Sequence, residues 1–160
     1  MTFTQGYIQV YTGEGNGNTA AALGLALRAA GAGLKVYIAR FTMSGEENVT
    51  KVLSRYADRI TVESFPRGRF IMDAPSAEDV ATARRAVQAV RRALTAGGYQ
   101  VVIMEEVNAA AADGLFPVEE LLDLMARKPA SVELVITGSG ADPRVIDRAD
   151  LVTAVKAVKH

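Results

Sequence analysis

Two short segments of this sequence carry residue types that could act together on a phosphate-bearing ligand. The first is TGEGNGNT at positions 12–19, where glycines alternate with other residues after an apolar run. The second is the pair Glu105 and Glu106, which also follows an apolar run. Successive N–H groups of a glycine-rich turn can surround an anion, and carboxylate oxygens are preferred ligands of magnesium. Whether the two segments meet depends on the elements that carry them.

The glycine-rich loop matches the phosphate-binding motif G-x-x-x-x-G-K-[ST] only in part. Gly17 and Thr19 match, whereas Thr12 stands at the first glycine and Asn18 stands at the lysine. Glu14 adds a negative charge where phosphate would lie. Two interpretations stay open. The loop binds an anion through backbone N–H groups and a helix N-terminus, or it is a tight strand-to-helix turn capped by Asn18.

A dinucleotide-binding fingerprint, G-x-G-x-x-G, does not fit the same loop. It requires glycine where Asn18 stands and an acid near the end of the second strand, where Arg40 stands.

The acids at the end of the apolar run VVIM predict a metal site. Glu105 or Glu106 could hold magnesium, directly or through water, opposite the glycine-rich loop. The alternative is a pair of solvated acids at a strand exit. A further turn, TGSG at 137–140, is either an ordinary turn or a close approach of backbone to ligand, and Asp142 is predicted to cap the helix that begins at Pro143.

The chain alternates between strands and helices, which predicts an α/β fold with three layers, a mostly parallel sheet carrying helices on both faces. Strands are predicted at 7–12, 35–40, 60–64, 99–105, 134–137 and 151–155. Helices are predicted at 19–30, 46–56, 77–96, 118–127 and 143–149. Right-handed crossovers place all strand ends on one edge of such a sheet, where ligands bind.

The composition limits the classes of partner. The 160 residues form a single predicted domain, 1–160, with 18 basic and 18 acidic side chains and no cysteine. A neutral chain without a basic run gives no support for nucleic acid, and no apolar segment is long enough to span a membrane. The N-terminus lacks a signal-peptide pattern, so a cytoplasmic location is expected.

Two further expectations concern particular segments. The first helix, TAAALGLALRAAG, is so apolar that it is predicted to be covered on two sides. The segment 65–76, FPRGRFIMDAPS, is the longest irregular stretch and a candidate binding loop.

The order of these motifs resembles that of the corrinoid adenosyltransferases of the phosphate-loop type. Members of that family read IQVYTGxGKGKTTAALGLALRAAGxGxKV, then DELN, TGR and ADLVTxxKxVKH. This sequence reads IQVYTGEGNGNTAAALGLALRAAGAGLKV, MEEVN, TGSG and ADLVTAVKAVKH, so the resemblance covers residues 7–160.

The resemblance implies a phosphate-loop NTPase-like fold, a homodimer and transfer of the 5′-deoxyadenosyl group of ATP to Co(I) of a corrinoid, assisted by magnesium. It implies catalysis by Glu106 and metal binding by Thr19, Glu105 and Glu106. The residues it implies for ATP binding are Gly13, Glu14, Gly15, Asn16, Gly17, Asn18, Thr19 and Ala20.

The sequence departs from the family pattern at charged positions. Asn16 and Asn18 replace the loop lysines, Ser139 replaces the arginine of TGR, and Glu105 replaces the aspartate of DELN. The FIKG segment becomes FTMSG at 41–45, and 69–72 is the nearest equivalent of GFTW, without its tryptophan.

Because a charge-assisted hydrogen bond contributes roughly 1.5–3 kcal/mol, the loss of three cations predicts weak ATP binding. The alternatives are a non-catalytic relative that binds a corrinoid, a nucleotide or a protein partner, and a phosphate-loop ATPase or kinase.

Overall fold

The computed structural model describes residues 4–41, 47–68 and 74–159. Six strands alternate with helices: β1 Ile8–Gly13, α1 Gly17–Gly31, β2 Val36–Arg40, α2 Glu47–Leu53 with a 3₁₀ turn Ser54–Tyr56, β3 Ile60–Ser64, α3 Ala77–Thr95, β4 Val101–Glu105, α4 Val107–Ala112, α5 Val118–Arg127, β5 Glu133–Thr137, α6 Pro143–Arg148 and β6 Leu151–Val155.

The strands form one parallel sheet in the order β3-β2-β4-β5-β1-β6. The central strands β2 and β4 are buried along their whole length, which explains why they read as apolar runs without alternation. The predicted parallel α/β sheet is therefore confirmed.

Each face of the sheet carries its own apolar cluster. On one face α1 packs through small residues, Ala22, Ala26 and Ala29, against β2, β4 and β5. On the other face α3, α4 and α5 cover the same strands with larger side chains such as Leu121 and Leu124. Alanine allows α1 to approach the sheet closely, which brings its N-terminus to the carboxyl ends of the strands.

One expectation about a helix was wrong, and one helix was missed. Helix α1 is covered on one side only, since Gly24, Leu27 and Arg28 are exposed. Helix α4 was not predicted, because its six residues, VNAAAA, follow β4 after the single residue Glu106 and carry no cap signal.

No helix among the described residues is long and apolar enough to cross a membrane.

The side chain of Lys128 ties the entry of β1 to the turn before β5. Its Nζ donates hydrogen bonds to the carbonyl oxygens of Gly6, Pro129 and Val132 at 3.0, 2.8 and 2.9 Å. Burial lowers the pKa of Lys128, while Asp150 and Glu133 oppose that shift.

Replacing Lys128 with methionine keeps the aliphatic stem and removes every donor. We expect the free energy of unfolding to fall by about 1–3 kcal/mol, because three carbonyls lose a charged partner. Urea denaturation of the two proteins measures it.

The matched control is Arg127→Met, which removes a neighbouring cation from an exposed i,i+4 ion pair with Asp123. That change should alter the unfolding free energy by less than about 0.5 kcal/mol. Equal losses in the two variants would show that Lys128 does not anchor this turn.

Candidate functional site at the carboxyl edge of the sheet

The glycine-rich loop and the paired acids lie at the same edge of the sheet. The loop leaves β1 and the acids end or follow β4, and both strands are parallel to β5, which lies between them. Two strand spacings separate β1 from β4, about 9–10 Å. The two segments that the sequence singled out therefore flank one crevice.

The loop between β1 and α1 is a tight turn that rests on β6. Gly13 and Gly15 have φ values of 109° and 91°, which glycine adopts without strain. A Cβ atom on Gly13 would strike the backbone of Val155, and one on Gly17 would strike the Val155 side chain. Glycine is thus required at these two positions by contact with the last strand.

Asn18 lies inside the first turn of α1, so the interpretation that it caps this helix is wrong. The N-cap is Asn16, whose side chain makes no capping hydrogen bond. The Asn18 side chain is 1% exposed and its Nδ2 donates to the Gly13 carbonyl at 3.0 Å. The amide therefore turns back into the loop and closes it at its base.

The side-chain oxygen of Asn18, unlike its side-chain nitrogen, has no hydrogen-bond partner among the described residues. Asn18 Oδ1 is buried and accepts no hydrogen bond from the described residues. An unpaired buried acceptor costs about 1–3 kcal/mol, so the site keeps a hydrogen-bonding position that a ligand donor or a water can fill.

The remaining loop residues are open to solvent. Glu14, Gly15, Asn16 and Ala20 are exposed, and Thr19 is half-buried at the start of α1. The free N–H groups of a helix N-terminus carry a partial positive charge, and α1 is 15 residues long. The loop can thus receive an anion from outside, with backbone rather than lysine as the donor.

Glu105 forms a buried ion pair with Arg40. The two residues are direct neighbours in the register of β2 and β4. Arg40 Nε donates to Glu105 Oε2 at 2.7 Å, and its second terminal nitrogen donates to Oε1 at 3.2 Å. Their side chains are 1% and 0% exposed. Both carboxylate oxygens are engaged, so Glu105 is held by an arginine where the sequence predicted a metal.

Glu106 takes a backbone conformation that is unusual for a residue with a side chain. Its φ is 65°, the one positive value for a non-glycine residue in the described ranges. Its N–H donates to Thr137 Oγ1 at 3.0 Å, which joins the end of β4 to the end of β5. Strain of this kind, of order 1–3 kcal/mol, is typical of residues positioned for function.

A second buried asparagine supports the turn after β5. Asn108 is 2% exposed and donates through Nδ2 to the Gly138 carbonyl at 3.1 Å, while its Oδ1 has no partner among the described residues. Gly138 has a φ of 126°, and a Cβ there would crowd Asn108 and Ala109. Ser139 and Gly140 follow as exposed residues.

Beside this turn lies a groove of about 280 Å³ between α4, α5 and α6. Its lining includes Asn108, Ala111, Leu121 and Asp142. As predicted, Asp142 caps α6, since its Oδ1 accepts from the Arg144 N–H at 2.9 Å.

The candidate binding loop at 65–76 is anchored at its start, and residues 69–73, including the 69–72 segment, lie outside the described residues. Phe65 packs against Phe41, which also packs against Phe116. The Gly68 N–H donates to Asp79 Oδ1 at 2.8 Å, and this bond is the main cause that lowers the pKa of Asp79. Of the segment 41–45, only Phe41 is described.

Sequence reasoning missed three residues of this edge. Arg40 was noted only as a residue that is not an acid, although a lone charge ending a buried apolar strand requires a partner. Thr137 was assigned to the end of a strand and to the TGSG turn, without a role for its side chain, and Val155 was assigned to a strand without a role. Only the order of the strands in the sheet, which cannot be read from the sequence, reveals that Thr137 contacts Glu106 and that Val155 contacts the loop.

Comparison with known proteins agrees with this geometry. Residues 4–160 match the family described as ATP:corrinoid adenosyltransferase BtuR/CobO/CobP. The chain is 29% identical to the corrinoid adenosyltransferase of Pseudomonas aeruginosa, over 98% of this chain and 77% of that protein. It is 30% identical to the corrinoid adenosyltransferase of Escherichia coli K12, over 98% of this chain and 79% of that protein. The chain belongs to the ATP:corrinoid adenosyltransferase family.

Proposed function

We propose that this protein transfers the 5′-deoxyadenosyl group of ATP to the Co(I) centre of a corrinoid. In that reaction the cobalt attacks the ribose C5′, a Co–C bond forms, the C5′–O bond breaks, and triphosphate leaves with the bonding electron pair. The cobalt is formally oxidised from Co(I) to Co(III). The observation that carries the proposal is a glycine-rich strand-to-helix loop at the carboxyl edge of the sheet in a chain of this family.

The loop would hold the triphosphate through its backbone. The residues assigned to ATP are Gly13, Glu14, Gly15, Asn16, Gly17, Asn18, Thr19 and Ala20. The Ala20 N–H already donates to the Asn16 carbonyl at 3.2 Å within α1. The N–H groups of the loop before it, together with the N-terminal charge of α1, would supply hydrogen bonds and a partial positive charge. Asn16 can supply an amide donor without charge, whereas the Asn18 amide is buried and already donates to the Gly13 carbonyl. The triphosphate would therefore be held less strongly than by lysine.

The acids fit magnesium only in part. No group of three or more His, Asp or Glu side chains within the described ranges could hold a metal ion. Glu105 is unavailable as long as its two oxygens bind Arg40. The protein's contribution would then come from Thr19 and Glu106, and a magnesium ion with so few protein ligands would be held mainly by phosphate oxygens and water.

Glu106 is the residue proposed to act at the reacting centre. It stands at the junction of β4 and α4, and its backbone is fixed by the bond from its N–H to Thr137. A carboxylate held there can orient the nucleotide through hydrogen bonds to its ribose hydroxyls. The cytoplasm, with its reduced corrinoids and ATP, is the proposed location.

The reaction is tested by supplying ATP, magnesium and chemically reduced cob(I)alamin. The visible spectrum should change as the Co–C bond forms, and triphosphate should be released in equal amount. We expect Gly13→Ala to abolish this activity and to weaken ATP binding at least about tenfold, because the new Cβ meets the Val155 backbone at a φ that disfavours side chains.

Gly24→Ala is the matched control, since a Cβ there meets nothing within 4 Å and the residue lies mid-helix. It should retain wild-type activity. If the folded wild type forms no Co–C product and no heat accompanies ATP titration, the protein is instead a non-catalytic member of the family.

Disruption of the Arg40–Glu105 pair distinguishes a structural carboxylate from a metal ligand. Arg40→Met should lower the free energy of unfolding by about 3–5 kcal/mol, because it leaves a buried carboxylate without its partner. The double variant Arg40→Met/Glu105→Met should recover most of that loss. Urea denaturation with and without magnesium measures both.

The effect of magnesium on the free energy of unfolding distinguishes the two roles of Glu105. If magnesium stabilises the wild type, and if Arg40→Met loses little stability once magnesium is present, then Glu105 is a metal ligand.

Adding a lysine to the loop should restore part of the missing charge. Asn18→Lys is expected to tighten ATP–magnesium binding by roughly 1–3 kcal/mol, and Asn16→Lys should add to this effect. The gain should shrink as ionic strength rises, because it is largely Coulombic. Calorimetric titration measures the affinities. No change in either folded variant would mean that the N–H groups of the loop do not converge on an anion.

A further inference from the structure

The carboxyl end of β5 is hydrogen-bonded to both sides of the crevice through two residues, Thr137 and Gly138. The Gly138 N–H donates to the carbonyl oxygen of Tyr11 on β1 at 3.1 Å. Thr137 Oγ1 accepts from the Glu106 N–H at 3.0 Å, and the Gly138 carbonyl accepts from Asn108 Nδ2 at 3.1 Å. Because β5 lies between β1 and β4, these bonds join the strand that leads into the glycine-rich loop to the segment that carries Glu106.

The start of α4 and the turn at Gly138 are packed too closely to shift independently. A Cβ atom on Gly138 would lie 3.1 Å from the backbone nitrogen of Ala109 and 3.2 Å from the Cβ of Asn108. The carbonyl oxygen of Glu106 accepts the Ala110 N–H at 3.1 Å. The positive φ of Glu106 is thus held by hydrogen bonds to its N–H and to its carbonyl oxygen.

Stability alone does not explain an asparagine at position 108. Asn108 is 2% exposed, and its Oδ1 has no partner among the described residues. A buried acceptor without a partner costs about as much as one hydrogen bond contributes. Leucine has nearly the same shape and would exchange one unpaired acceptor, Oδ1, for another, the Gly138 carbonyl. It would also add apolar surface to the core, so the fold gains little from the asparagine.

We propose that Asn108 is a positioning residue of the transfer site, which sets through Gly138 where Glu106 lies relative to the glycine-rich loop. This inference rests on the proposed function, since Glu106 is assigned there to the reacting centre. Thr137 supplies the second hydrogen bond between the same two segments.

The covalent length of ATP is the reason why this position matters. The triphosphate would lie in the glycine-rich loop while the ribose lies beside Glu106, so the two protein segments must keep one distance. A displacement of about 1 Å at a reacting centre can cost about 100-fold in rate. Hydrogen bonds that join β1, β5 and the start of α4 are suited to hold that distance.

Asn108→Leu tests the role of the side-chain donor. We expect kcat for transfer to cob(I)alamin to fall at least about tenfold, because Glu106 moves relative to the bound nucleotide. The affinity for ATP–magnesium should stay within about twofold of wild type, because the loop N–H groups are unchanged. The midpoint of urea unfolding should change little. The visible spectrum, calorimetric titration and urea denaturation measure these three quantities.

Tyr37→Phe is the matched control for loss of a buried hydrogen bond. It removes the bond from the Tyr37 hydroxyl to Glu63 at 3.0 Å, on the second residue of β2 and away from the carboxyl edge. This variant should keep the wild-type kcat even if its urea midpoint falls. If Asn108→Leu loses activity only in proportion to its loss of stability, Asn108 is a structural residue and the proposal is wrong.

A double-mutant cycle shows whether Asn108 acts through Glu106. Glu106→Ala removes the carboxylate and keeps a Cβ at the same backbone position. Adding Asn108→Leu to Glu106→Ala should slow the residual single-turnover rate by less than about twofold, although the same change slows the wild type at least about tenfold. Multiplication of the two losses would contradict the proposal.

Thr137 provides a second pair of variants should Asn108→Leu fail to fold. Thr137→Ser keeps the hydroxyl that accepts from the Glu106 N–H and should retain kcat. Thr137→Val keeps the shape, removes the acceptor, and should lower kcat at least about tenfold with ATP affinity unchanged. Equal kcat values for these two variants would show that the contact between the end of β5 and Glu106 does not position the reaction.

The wild type separates failure of this inference from failure of the proposed function. An active wild type with an equally active Asn108→Leu variant overturns the positioning role and leaves the proposed function in place. A folded wild type that forms no Co–C product overturns both.

Discussion

The structure depends on a sheet whose central strands are buried on both faces. Because both faces of these strands are buried, polar side chains are accommodated only at the strand ends. All six strands are parallel, so their carboxyl ends lie at one edge of the sheet. Arg40, Glu105 and Thr137 each occupy the last position of a strand and are each fully or almost fully buried. They therefore pair with one another or with the turn that follows.

Pairing at the strand ends makes the floor of the site electrically neutral. The guanidinium of Arg40 and the carboxylate of Glu105 cancel, and desolvation of both is offset only because two hydrogen bonds join them. Neither charge then reaches a ligand in the crevice. With asparagine at 16 and 18, the loop offers dipoles and no full positive charge at these two positions. An anion in the loop would be held by backbone N–H groups.

Sequence reasoning found the layout of the fold because each strand and most helices are regular and separated by clear turns. The apolar runs ending at Arg40 and Glu105 and the capped helix after Asp142 are local signals. The errors arose where the backbone geometry of a turn decides the structure. Asn18 has the composition of a cap, yet its amide is drawn inward by the Gly13 carbonyl. Helix α4 begins directly after Glu106, whose positive φ is not revealed by its amino-acid type.

Strand β6 fixes the shape of the glycine-rich loop. On its inner side, Val155 meets Gly13 and Gly17, so the shape of the loop is set by a residue that lies 142 positions after Gly13 in the chain. On its outer side, the same strand is held by no other element of the described chain. A loop that relies on backbone geometry rather than on lysine charge requires that geometry to be rigid, because misplaced N–H groups lose most of their hydrogen-bond energy. The pairing of β6 with β1, which sets the position of Val155 against Gly13 and Gly17, is therefore the contact that keeps the N–H groups of the loop in place.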